Sequence, residues 1–298
     1  MKKFLPLLLV LIFAGCFSKP PAPQWVTNAP QDNQEFFYAA EDGYSKDNAI
    51  KKALSDIASR LNVSISSELL VNQGVFDNEA YTEINQQISS KVADIQFNNY
   101  KVVKFKQIGD DNYVLIKVNK SKLRQQIKTQ IDDSLNKIQI LLNHWADALQ
   151  KVQNAHKAIK LIKKTNTKLL ILQTLGADVS KSMKKLEKYL KQANYALQHT
   201  KFSVKVNNFK QRTLDVMSKY FVISSKGNRI RVSISLKKKY ILRQFLIIGK
   251  ANISFQGHKT ITIRFKGSSY TGTKNAIFKA GEDFKNKLDS TIKNLLGV

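Results

Sequence analysis

The chain has 298 residues, 43% of them hydrophobic, which suits two modest domains rather than one small one. Its single cysteine excludes an intramolecular disulfide. The net charge of +27 is unevenly placed: residues 1–120 hold 13 Lys and Arg against 13 Asp and Glu, whereas residues 121–298 hold 36 against 9.

Lys2 and Lys3 precede an apolar run from Phe4 to Phe13, then Ala14, Gly15 and Cys16. The run is shorter than the roughly 20 residues that a membrane span needs. It reads as a cleaved secretory signal over residues 1–15. Cys16, directly after two small residues, resembles the bacterial lipobox, in which the thiol is acylated before cleavage. Residues 16–35 read as a lipidated tether, stiffened by Pro20, Pro21 and Pro23. By the same resemblance, Phe17 in place of Asp favours the outer membrane.

Residues 36–120 read as a first domain. Phe36–Ala40 is an expected strand, Ser45 an N-cap, and Lys46–Leu61 a helix with its small and apolar stripe at Ala49, Ile50, Ala53, Leu54, Ile57 and Leu61. Val63–Leu70 alternates and is expected to be the next strand. Asn72–Tyr81 reads as a loop, and Ile84–Ile95 fits helix or strand. Tyr100–Phe105 and Tyr113–Val118 form an expected hairpin around Gly109-Asp110-Asp111-Asn112.

Residues 121–200 read as a helical hairpin. From Ser121 to Ile162 there is no Gly or Pro, and Leu135, Ile138, Leu142, Trp145, Leu149 and Val152 recur in steps of three and four, so one long helix is expected. A helical stretch covers Leu169–Leu175. Gly176 is a natural C-cap and Asp178 a natural N-cap for a further helix over Val179–Leu197. A coiled-coil interface with a partner is the alternative to an antiparallel hairpin.

Residues 201–298 read as a basic second α+β domain. Strands are expected at Phe202–Val206, Arg229–Leu236, Tyr240–Ile248, Ile253–Phe255 and Thr260–Lys266, and helices at Phe209–Phe221 and Asn275–Leu296. The fold class is therefore α+β: a small β-α-β plus hairpin domain, a helical hairpin, and a mainly antiparallel sheet with two helices. Asn48–Leu61 and Asn275–Leu288 are identical at seven of fourteen positions. This reads either as a duplicated strand–helix unit or as two amphipathic helices drawn from a composition rich in lysine and asparagine.

Pro23-Gln24-Trp25, Phe37-Tyr38-Ala39-Ala40, Gly43-Tyr44-Ser45, the Ala49/Ala53/Asp56-Ile57-Ala58 pattern and Val63-Ser64-Ile65-Ser66-Ser67 follow one another in order. Over about residues 24–120 the chain resembles the Lpp-twenty family of Helicobacter-type outer-membrane lipoproteins. The resemblance implies a helix against a curved sheet, a non-enzymatic envelope role, and in some members self-assembly or association with the flagellum. It implies no catalytic residues.

Motifs for chemistry are missing. Among His144, His156, His199 and His258, only His144 has a near acidic neighbour, Asp147, too little for a zinc site of three or four ligands. Asp132-Asp133 and Glu282-Asp283 are adjacent, so they project differently from a helix. Gly267-Ser268-Ser269 lacks the lysine and spacing of a phosphate loop, and no nucleophile elbow is present. The expectation is no enzyme, no cofactor and no metal. The expected partners are the membrane, through the Cys16 lipid, and envelope proteins or copies of the chain itself. The alternative is a polyanion-binding module for lipopolysaccharide or nucleic acid, with an anionic polymer or lipid headgroups as partner, using Lys184, Lys185, Lys188, Lys191, Lys237, Lys238 and Lys239. The 42 lysines against 7 arginines argue for coding drift as the source of that charge, since base readers favour arginine.

Overall fold

The computed structural model describes residues 21–73, 97–258 and 260–298. The signal, Cys16 and the start of the tether lie outside the described residues, as do the rest of the expected loop after residue 73 and the segment 84–95. The architecture is α+β, and the chain divides into two compact units: Met1–Val63 with Val92–Leu123, and Ser64–Lys91 with Arg124–Val298.

In the first unit a short helix α1 (Gln24–Thr27) precedes β1 (Phe36–Gly43), the long helix α2 (Lys46–Gln73), β2 (Tyr100–Ile108) and β3 (Asp111–Asn119). The sheet is antiparallel, ordered β1-β3-β2. Ser45 accepts the Asn48 N–H and so starts α2. The helix buries Ala49, Ala53, Ile57 and Leu61, which recur every four residues and form one stripe. Central β3 is buried from Tyr113 to Ile116. Arg60 binds α2 to the chain before β1, pairing with Asp32 at 2.7 Å and with Asp56 at 3.2 Å and donating to the Tyr38 carbonyl.

The expected strand Val63–Leu70 is instead the continuation of α2 to Gln73. No Gly or Pro stands between Ser45 and Gln73 to end the helix, and the serines at 64, 66 and 67 only imitate the alternation of a strand.

The second unit holds α3 (Lys120–Asn143) from Arg124 on, α4 (Ala148–Thr174) and α5 (Ser180–His199). Lys168 donates to Gln130 and Arg124 to the Leu175 carbonyl, so α4 runs antiparallel to α3; Tyr189 donates to Gln139 and Gln192 to Asn143, so α5 runs parallel to it. The result is a three-helix bundle, not a hairpin of two helices. The expected helix from Ser121 to Ile162 is broken at residues 144–147, where Asp147 accepts the Gln150 N–H and caps α4. The apolar stripe hides the break because it keeps its step while changing cores. Ile131, Leu135, Ile138 and Leu142 are buried on α3, whereas Leu149 and Val152 join the core of the following sheet. Gly176, at φ +81°, ends α4 as expected, with the Ala177 N–H on the Leu172 carbonyl. Asp178 takes the Ser180 N–H, but the cap position itself is Val179.

The remaining elements are β4 (Lys201–Val206), α6 (Lys210–Tyr220), β5 (Val222–Ile223), β6 (Asn228–Ile241), β7 (Gln244–Phe255), β8 (Ile261–Ser269) and α7 (Thr273–Leu296). They build a five-stranded sheet ordered β5-β4-β6-β7-β8. β6, β7 and β8 pair antiparallel, while β4 pairs parallel with both β5 and β6. Both α6 and α7 pack on one face of this sheet over Ile230, Val232, Ile253 and Phe265. Phe284 of α7 stands 5.1 Å from Phe265 and 5.9 Å from Phe209, ring to ring.

The expected strand Tyr240–Ile248 contains a hairpin turn. Ile241 pairs with Gln244, leaving Leu242 and Arg243 as the two turn residues, at φ 50° and 62°. Two left-handed residues make a tight hairpin turn that Asn-Gly ordinarily supplies. Each costs a side-chain-bearing residue roughly 1–2 kcal/mol, and without the usual residues the turn left no mark in the sequence.

Candidate functional site

The second sheet has one covered and one open face. Period-two alternation puts Ile230, Val232 and Ile234 of β6 against the helices. It puts Arg229, Arg231, Ser233, Ser235, Lys237 and Lys239 on the open face, all exposed. Register extends this face across the sheet. Arg231 stands opposite Lys205 of β4 and Ser254 of β7, Ser235 stands opposite Lys250, and Lys250 stands opposite Arg264 of β8. Lys237 stands opposite Ile248, itself opposite Lys266. The residues between these cations are Ser, Thr and Asn with a few aliphatic ones, and no acidic residue occupies an open-face position on β4, β6, β7 or β8. A shallow cavity of about 300 Å³ lies at one end, lined by Arg229, Arg231, Ser254 and Gln256.

The structure places the seven predicted lysines on two separate elements. Lys184, Lys185, Lys188 and Lys191 are exposed on α5. There Lys191 is paired with Glu187 at 2.7 Å and Lys185 lies 5.7 Å from the Tyr189 ring. Lys237, Lys238 and Lys239 are exposed near the turn of the β6–β7 hairpin. Lys237 and Lys239 belong to the open face, while Lys238 points to the other side. Pairing with β4 ends at Val232, so this stretch of β6 has an open edge, where lysines also discourage strand addition. Sequence reasoning missed Lys205, Arg229, Arg231, Lys250, Arg264 and Lys266. The basic alternation at 229 and 231 was visible, but only the cross-strand register joins these residues into one surface.

The candidate chemistry resolves into structural contacts. His144 lies near the Ile140 carbonyl, and Asp147 pairs with His258 rather than His144. Burial pushes the Asp147 carboxyl up, but the Gln150 N–H and His258 outweigh it and hold it below the usual range. Glu282 accepts from Arg212 at 2.8 Å and Asp283 from Lys287 at 2.9 Å. Asp132 and Asp133 are exposed on α3. His156 is held low by burial, and burial also lowers Lys168, with Lys164 and Lys137 adding to it. A cleft of about 450 Å³ is lined by Trp145, Asp147, Lys151, Lys201 and His199, whose ring stacks on Tyr195 at 3.8 Å. Among the described residues, no three His, Cys, Asp or Glu side chains gather as metal ligands, and no helix is long and apolar enough to cross a membrane.

No family model matches the chain, and no curated protein matches it in sequence. In fold it is similar to the crystal structure of the secreted protein HP1454 from the human pathogen Helicobacter pylori. The TM-score is 0.55 and the identity 16%, over 88% of this chain and 98% of that one. The likeness is one of fold.

Proposed function

We propose that this chain is an exported, non-enzymatic component of a bacterial cell envelope. In this reading it is acylated at Cys16, held at the outer membrane, and acts by binding other envelope proteins or copies of itself. The observation that carries the reading is the fold shared with a secreted bacterial protein across nearly the whole of both chains. The leader from Lys2 to Cys16 supports export and acylation. The resemblance to the Lpp-twenty family over residues 24–120 supports the envelope role, and the helix-on-sheet first unit is the build that this resemblance implies. Its flagellum-associated members make flagellar envelope proteins candidate partners. The test is mass spectrometry of the N-terminus in membrane fractions of the host. A di- or triacylated Cys16 in the outer-membrane fraction is expected, and Cys16→Ser abolishes it. Lipid labelling that survives Cys16→Ser overturns the anchor.

The open basic face favours a second reading, a polyanion-binding envelope module. Retention on immobilised heparin at low salt is then expected, falling steeply as salt rises. Unchanged retention of a variant carrying Arg231→Ala, Lys250→Ala and Arg264→Ala removes this reading.

A further inference from the structure

We propose that the tip of the β6–β7 hairpin is a membrane-docking element that seats in an anionic lipid surface. The turn exposes an apolar group of residues: Leu242 is 91% exposed, Tyr240 63% and Ile241 48%. Leu242, at that exposure, gains almost no packing in the folded chain. The turn also holds Leu242 and Arg243 in the left-handed region, where Asn-Gly would sit without penalty. A leucine there is unfavourable for both conformation and solvation, and a partner that takes up its side chain accounts for both.

Around this tip stand Lys237, Lys238, Lys239 and Arg243, all exposed, and none of them is ion-paired among the described residues. Protection of the open edge explains the lysines but not the apolar residues beyond them. The two together match a lipid–water boundary. Leucine and isoleucine enter the acyl region, tyrosine lies at headgroup level, and lysine stems reach up to the phosphates. A polyanionic polymer would satisfy the cations and leave Leu242 and Ile241 in water. The hairpin is also pre-formed for insertion: Tyr240 and Phe245 face each other across the strands with their rings 4.8 Å apart. This does not depend on acylation at Cys16 and goes beyond the anchor, because it gives the basic unit its own contact with the bilayer.

The test uses the chain from residue 16 onward with Cys16→Ser, so that no acyl group contributes. Co-sedimentation is measured with vesicles of phosphatidylethanolamine and phosphatidylglycerol, and with phosphatidylcholine alone. Binding to the anionic vesicles is expected to be at least about tenfold tighter than to the neutral ones and to weaken with salt. Leu242→Asn with Ile241→Ser is expected to lower it about tenfold or more. Asn suits the left-handed turn, so an unchanged thermal melt separates lost docking from lost fold. Equal binding of wild type and this variant overturns the proposal. Retention on heparin or single-stranded DNA without vesicle binding also overturns it, and leaves the polyanion-binding reading standing. Concentration-dependent self-association removed by Leu242→Asn, without vesicle binding, would instead make the tip a contact between copies.

Discussion

The start of α2 and the start of α7 are the same local design in two settings. Each follows a strand, and each lays an alanine pair against that strand. Ala49 and Ala53 in the first unit correspond to Ala276 and Ala280 in the second, and all four are fully buried. The correspondence continues one turn on, where Ile57 matches Phe284, and ends with Leu61 and Leu288. It extends to the surface: Asp56 pairs with Arg60, and Asp283 with Lys287, each four residues apart. The difference lies in what the stripe covers. The first unit has three strands, and isoleucine fills its third position. The second has five, and Phe284 there joins Phe209 and Phe265 in an aromatic cluster.

The largest expected effect comes from the two glycines that admit the alanine pairs. A Cβ on Gly267 would fall 2.1 Å from the Ala280 nitrogen and 2.4 Å from the Ala276 carbonyl oxygen, both backbone atoms. Gly267→Ala is therefore expected to destabilise the second unit by about 3 kcal/mol. A Cβ on Gly43 would meet the Ala49 nitrogen and the Asn48 Oδ1 at 2.6 Å. Asn48 can move but the Ala49 backbone cannot, and the approach is less close than at Gly267, so Gly43→Ala is expected to cost less, about 2 kcal/mol. Hydrogen exchange of the amides around Ala280 and Ala53 reads the two units separately. Equal losses would mean that the two contacts are equally tight after all.

A smaller effect separates the units by pH. Burial raises the Asp283 carboxyl, but the Lys287 ammonium and the Lys266 N–H outweigh it, so the net shift is downward. Its contribution is present above the ordinary aspartate range and is lost as pH falls through the lowered folded value. Glu41 goes the other way, raised by burial first and then by Asp56 and Asp42. Its charge opposes folding at neutral pH, and the opposition is relieved as pH falls from the raised folded value towards the ordinary glutamate range. Glu41→Gln should therefore stabilise the first unit at pH 7 by on the order of half a kcal/mol, with the gain shrinking below pH 5. Asp283→Asn should weaken the second unit at pH 7, and by less as pH falls through the lowered folded value. Denaturant titrations of both variants at pH 7 and at lower pH check this, and a gain from Asp283→Asn at pH 7 would reverse the assignment.

Much of the fold could be read in advance because it rests on periodicity. The Ala49–Leu61 and Ala276–Leu288 stripes, the hairpin at Gly109 and the helix end at Gly176 carry their signal within a few neighbouring residues. The misses share one cause. Ser64 to Ser67 lie in a helix that nothing stops, Asp147 interrupts a stripe whose step survives the interruption, and Leu242-Arg243 turn the chain without turn residues. In each case the local pattern fitted a wrong answer as well as the right one.

The same division runs through the candidate site. The sequence by itself determined that the positive charge lies after residue 120, that Lys237, Lys238 and Lys239 are adjacent, and that Ile230, Val232 and Ile234 alternate with polar neighbours. Only the tertiary structure decided that Arg231, Lys205, Lys250 and Arg264 share one open face and that Leu242 stands at a tip. Alternation is a property of one strand and is set by local sterics. Which strands lie side by side, and in what register, depends on burying the other face under α6 and α7, so no single segment encodes the surface.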